Sequence, residues 1–110
     1  MALESPPDLI VRVRAELSDV GSVAEKRMFG STGFMIRGKL AIAARPERIM
    51  CRIDPTLFPE VLKKAGCRPV VMRGRTMKGY VYVDADSVST RRALSSWVRL
   101  VLAQNKSITE

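Results

Sequence analysis

The side chains of this chain that could carry chemistry are few, and their types exclude more than they suggest. There is no histidine, and the only cysteines are Cys51 and Cys67. A Ser-His-Asp or Cys-His relay needs an imidazole to move the proton between nucleophile and leaving group, so that class of hydrolysis is closed. The cysteines form no Cys-x-x-Cys pair and have no histidine to complete a zinc set, so they read as buried free thiols packing like small hydrophobes. Asp84 and Asp86 have the spacing of a partial hard-cation site. They stand immediately before a predicted helix, however, where carboxylates serve as caps and face the positive end of the helix dipole. Gly38-Lys39 matches the end of a phosphate loop, but the earlier glycine is missing and Leu40 stands where a hydroxyl is required, which leaves a hairpin turn. The chain is expected to be non-enzymatic, with no catalytic residue, metal or cofactor.

Charge is the strongest compositional signal. Lys and Arg number 19 against 11 Asp and Glu, a formal net charge of +8. Such a surplus speeds encounters with polyanions and speaks to partners rather than to fold. The cations of interest fall into two groups: Arg37, Lys39, Arg45, Arg48 and Arg52 lie along or between predicted strands, and Arg73, Arg75 and Lys78 surround one predicted hairpin loop. They are the expected contacts for an anionic partner. Tyr80 and Tyr82 share a strand face without a third aromatic nearby, which falls short of the stacking platform of a single-strand binder. No helix reads as both basic and free of core duty, which argues against major-groove reading by a helix.

The elements that must position these residues follow from periodicity. Ser5-Pro6-Pro7-Asp8 reads as a helix start with Ser5 as cap, and Leu9, Val13, Leu17 and Val20 form one stripe that Gly21 ends. Residues 24–29, 33–37, 40–45 and 49–53 read as successive strands, the first near a sheet edge, punctuated at Gly30-Ser31-Thr32-Gly33, Arg37-Gly38-Lys39 and Pro46-Glu47-Arg48. The fourth alternates, with Ile49, Cys51 and Ile53 on one face and Met50 and Arg52 on the other. A helix over 57–65 has Pro59 in its first turn, Leu57, Val61, Leu62 and Ala65 inward, and Gly66 at its end. Residues 70–73 and 80–83 pair across a loop at 74–79. Asp86-Ser87 caps a helix over 88–105 whose buried face is Leu94, Trp97, Val98, Val101 and Leu102. Most methionines are expected in the core, while Met35 and Met50 mark a sheet face that helices leave bare, a candidate protein or dimer interface.

The order is therefore α-β-β-β-β-α-β-β-α, an α+β two-layer sandwich with a largely antiparallel sheet and helices on one face. At 110 residues the chain fits a single domain, with 5–104 folded and 106–110 a polar tail expected to fray. The N-terminus has neither a basic segment nor an apolar run, and no stretch is long enough to span a bilayer, so the expected location is the cytoplasm with no membrane association.

Arg27-Met28-Phe29-Gly30 with Gly33, Gly38 before a small-residue strand, and Gly79-Tyr80 followed by a helix carrying Trp97 resemble the N-terminal domain of the TfoX/Sxy family of competence regulators. The resemblance runs from about residue 10 to about residue 102. It implies a small α/β domain with an antiparallel sheet and a role tied to transcription regulation, since named members act as co-activators of DNA-uptake genes. Those members carry a second, C-terminal domain, and the expectation here is a stand-alone N-terminal-type domain. The function expected on these grounds is a regulatory module acting by protein contact through its sheet surface, homodimerisation included. The alternative is a basic domain that binds nucleic acid without sequence preference.

Overall fold

A six-stranded sheet in the order β1-β2-β3-β4-β6-β5 organises the molecule, and every neighbouring pair in it is antiparallel. The structure, a computed structural model, describes residues 8–28 and 30–109. The strands are β1 (Val23–Met28), β2 (Ser31–Ile36), β3 (Lys39–Arg45), β4 (Arg48–Arg52), β5 (Cys67–Met72) and β6 (Arg75–Asp84). The helices α1 (Leu9–Glu16), α2 (Phe58–Val61) and α3 (Arg91–Thr109) complete the expected element order. The α+β class and the edge position of β1 are as the sequence implies.

Alternation decides which face is covered. Phe34 and Ile36 from β2, Ile42 and Ala44 from β3, Ile49 and Cys51 from β4, and Val81 and Val83 from β6 are buried in one cluster. Against them pack Leu9, Val13 and Leu17 of the first helical segment, Phe58 and Val61 of α2, and Leu94, Trp97, Val98 and Val101 of α3. The α3 members recur at i, i+3, i+4 and i+7, so one stripe of the helix carries the burial. Trp97 is 6% exposed and lies in the core, as its place in that stripe requires.

Two tight turns have the same chemistry. Arg37-Gly38 joins β2 to β3 and Arg73-Gly74 joins β5 to β6, with φ of 54° and 81° in the first and 52° and 76° in the second. Positive φ at both central residues is the type I′ geometry whose twist matches paired strands, and glycine removes the Cβ clash at the second position.

Local signals were misplaced at several ends. The cap of α1 is Asp8, whose Oδ1 accepts the Val11 N–H at 3.0 Å; Ser5, Pro6 and Pro7 lie outside the described residues. That helix ends at Glu16, and the left-handed residue after it is Ser22 (φ 63°) rather than Gly21. The helix expected over 57–65 is a 3₁₀ turn (Pro55–Leu57) plus the single turn of α2. Asp54 caps the 3₁₀ turn through the Thr56 N–H, and Leu57 is exposed rather than inward. Two prolines, at 55 and 59, suit helix starts and leave little room for a longer run. Asp86-Ser87 does not cap the last helix. A 3₁₀ turn (Ala85–Val88) intervenes, and Thr90 Oγ1 accepts the Ala93 N–H at 3.1 Å to start α3.

The expected loop at 74–79 is mostly strand, because the turn closes at Arg73-Gly74 and β6 begins at Arg75. At the other end, residues 106–109 continue α3 rather than forming a polar tail; Glu110 lies outside the described residues. Asn105 is buried and its Nδ2 donates to the Ile36 carbonyl at 3.0 Å, while Arg37 donates to Thr109 Oγ1 at 3.3 Å. These bonds to the β2–β3 turn hold the last turn of helix in place. Among the described residues no helix is long and apolar enough to cross a membrane.

Candidate functional site: the open face of the sheet

The same alternation that buries one face of the sheet leaves the other without helices among the described residues. Cross-strand partners share a face, so the pairs Ala43–Met50, Arg45–Arg48, Met50–Tyr82, Arg52–Tyr80 and Arg68–Tyr82 place these side chains together on the open side. A shallow depression of about 310 Å³ crosses it, lined by Met28, Met50, Val70, Met72 and Tyr82 with Arg45 and Arg48 among them. All six strands contribute to its wall. Met50 was expected here and is half-buried on this face; Met28, Val70 and Met72 join it, while Met35 is half-buried outside the depression.

Gly33 shapes the floor. A Cβ at that position would lie 2.9 Å from Met28 Cε and 3.1 Å from Leu40 Cδ1, so its absence lets these two side chains lie flat across β2. At one end the Arg45 guanidinium rests over Gly30, about 3.6 Å from where a Cβ would stand, and reaches Glu47 at 4.0 Å.

The arginines are arranged by aromatic rings. The Arg48 guanidinium carbon sits 4.0 Å from the Tyr82 ring centroid, and that of Arg52 sits 5.6 Å from Tyr80. A guanidinium over a ring is attracted by the ring's quadrupole, and its N–H groups are of the kind that meet a carboxylate or phosphate with two parallel bonds. Neither arginine has an ion-pair partner among the described residues.

The remaining predicted cations divide. Arg37 and Lys39 lie at the β2–β3 turn, with Arg37 committed to Thr109. Arg73, Arg75 and Lys78 lie exposed on the β5–β6 hairpin. The structure therefore brings Arg45, Arg48 and Arg52 into one site and leaves the other five apart from it. Sequence reasoning missed Arg68, whose guanidinium pairs with the Asp84 carboxylate across β5 and β6. That pairing, rather than helix capping, is what Asp84 does, since its side chain makes no cap bond. It also missed the outer stripe of α3, where Arg92, Arg99 and Lys106 are exposed at i, i+7 and i+14. Their heptad spacing, with no acid between residues 91 and 109, was the available signal.

Burial pushes the Cys51 thiol far up and raises Cys67 less strongly, and both cysteines are free. The hydrogen bonds from Arg14 Nε and Nη2, at 2.7 and 2.8 Å, lower the Glu25 carboxyl and fasten α1 to edge strand β1. Among the described residues no three His, Cys, Asp or Glu side chains cluster as metal ligands, and no buried side-chain nitrogen or oxygen lacks a partner.

Residues 15–105 match the family model of the TfoX N-terminal domain. The chain belongs to the TfoX N-terminal domain family. The TfoX-type fold is shared with the crystal structure of Deinococcus radiodurans protein DR2400, a DUF419 domain, at a TM-score of 0.68 and 15% identity over 91% of this chain and 80% of that one. No curated protein matches the chain. In this TfoX domain the motif residues that carried the resemblance hold the scaffold: Gly33 admits Met28 and Leu40, Gly38 closes a turn, and Trp97 fills the core. Gly79 accepts the Ile53 N–H at 2.8 Å through its carbonyl, and Tyr80 carries Arg52. Arg27 is exposed on β1, and Phe29 lies outside the described residues.

Proposed function

We propose that this domain is a non-enzymatic regulatory module that binds an acidic, partly apolar protein segment on its open sheet face, in a role linked to transcription like that of the competence regulators of its family. The observation that carries this reading is the pairing of Arg48 over Tyr82 at 4.0 Å beside the depression lined by Met28, Met50, Val70 and Met72. Flexible methionines adapt to apolar side chains, and arginines held edge-out receive carboxylates. A depression this shallow and this poor in acids and bases supports binding rather than turnover.

Charge selects among partners. Two copies meeting face to face would set Arg45, Arg48 and Arg52 against their own kind on a chain of net charge +8, which disfavours a homodimer through this surface. An acidic segment meets the same surface with complementary charge. Support for the nucleic-acid alternative lies elsewhere, on the β5–β6 hairpin.

A photo-cross-linking side chain placed at position 50 and, as a control, at position 96 on the outside of α3 tests the reading in cells. The expected result is an adduct with an acidic protein at position 50 that Arg48→Glu abolishes. Adducts confined to position 96, or adducts at position 50 indifferent to Arg48→Glu, would reject it.

A further inference from the structure

The β5–β6 hairpin outruns the sheet. Strand β4 pairs with β6 from Arg52–Tyr80 to Arg48–Asp84, and the bond from the Ile53 N–H to the Gly79 carbonyl ends that side, so residues 75–78 of β6 run beyond the β4 ladder and pair with β5 at Arg75 and Thr76. The register shifts between Pro69 and Val71, an irregularity of the kind that bends a strand and increases its twist. Pro69 is tolerated because β5 is an edge strand, where a missing N–H breaks no ladder on its outer side. The result is a two-stranded ribbon that closes at Arg73-Gly74.

Its chemistry differs from that of the rest of the surface. Arg73, Arg75 and Lys78 are exposed and make no ion pair among the described residues, and no acid occurs between Cys67 and Val83. Arg75 pairs with Met72 and so shares its face; Val71 pairs with Thr76 on the other face, and Lys78 follows in the irregular stretch between Thr76 and Val81. Cations thus stand at the tip, on the Met72 face and in the irregular stretch of β6. Val71, 56% exposed, and Met72, 58% exposed, are the most exposed large apolar side chains of the described residues. A soluble basic loop has no use for that combination, whereas an element entering a groove walled by phosphates would.

We propose that the β5–β6 ribbon is a second binding surface, which enters a groove of duplex DNA with Arg73, Arg75 and Lys78 on the phosphates. Two strands about 5 Å apart fit the major groove of B-form DNA, about 12 Å wide, and not the narrow major groove of A-form RNA. The cations at the tip and along β6 reach the phosphates, and Val71 meets the apolar edge of bases. Affinity arises mainly from phosphate neutralisation, so binding is largely indifferent to sequence.

The test uses the full chain and a mixed-sequence duplex of about 20 base pairs, followed by fluorescence anisotropy between 50 and 200 mM salt. With about three phosphate contacts the slope of log affinity against log salt is about −2.7, a weakening of about 40-fold over that range. The variant Arg73→Gln/Arg75→Gln/Lys78→Gln should lose at least about 10-fold in affinity at the lowest salt and most of the slope. The variant Arg92→Gln/Arg99→Gln/Lys106→Gln removes the same charge from α3 and should stay within about 3-fold of the parent. Circular dichroism confirms that both are folded. Equal loss in the two variants would reduce the effect to net charge and overturn the ribbon as the site. So would absence of binding at 50 mM, or equal affinity for duplex RNA of the same sequence.

Discussion

Strand β4 presents two different molecules to its two sides. Ile49 and Cys51 point into the helices and are fully buried, while Arg48, Met50 and Arg52, one residue out of step, form part of a surface that no other element of the described residues covers. The covered face uses branched aliphatics and aromatics locked by close packing. The open face uses a flexible thioether, ring-stacked guanidiniums and a glycine gap, groups that tolerate a change of neighbour. The contrast teaches that folding draws on one face and leaves the other free of close-packing constraints.

The sharpest way to break that contrast is to remove a large side chain from each face. Trp97→Ala should destabilise the domain by about 3 to 5 kcal/mol, since the indole is buried among both layers and its loss leaves a cavity. Met50→Ala should lose about 1 kcal/mol or less, because a half-exposed side chain gives up little burial and its site opens to solvent. Urea unfolding of both variants decides the matter. Comparable losses would mean that the open face is a second core.

Asn105 gives an intermediate effect on the covered side. Its Nδ2 is the donor to the Ile36 carbonyl, from a buried position near the end of α3. Asn105→Ala leaves that carbonyl without its side-chain donor in a dry setting, so a loss of about 1 to 3 kcal/mol is expected, with faster amide exchange at 106–109. Exchange unchanged in the last turn would show that this bond does not hold the helix end.

How much of this was legible in the sequence depended on the range of the interaction. Alternation in Ile49–Ile53 and the 3.6-residue recurrence through Leu94, Trp97, Val98 and Val101 report a single element meeting one core, so the fold class, the strand order in the chain and the covered face were readable. Helix ends were not, because Asp8 and Thr90 stand near Ser5 and Ser87 of similar capping chemistry, and because Ser22 rather than the intrinsically better suited Gly21 takes the left-handed conformation, a choice made beyond local sequence. The hairpin loop was overestimated because Gly74 and Gly79 look alike in sequence, yet one closes a turn and the other sits in β6. Of the site, Met50 and the shared face of Tyr80 and Tyr82 were visible by period. The stacking of Arg48 and Arg52 on those tyrosines was invisible, because it depends on β6 lying between β4 and β5.

That stacking supplies the smallest stability effect and the finest test of the open face. At 4.0 Å from the Tyr82 centroid the Arg48 guanidinium lies under the ring current, and at 5.6 Å Arg52 lies further from that of Tyr80. The side-chain resonances of Arg48 should therefore be shifted upfield more than those of Arg52. Arg48→Lys preserves the charge but has no planar fork to lie on the ring, and exposed cation–π contacts contribute only about 0.5 to 1 kcal/mol, so the stability change should not exceed that. Tyr82→Leu should return the Arg48 resonances to ordinary values while leaving those of Arg52 in place. If both arginines respond equally to Tyr82→Leu, or neither is shifted in the parent, the guanidiniums are free in solution rather than held edge-out. The open face would then be merely positive, attracting acidic partners without orienting them.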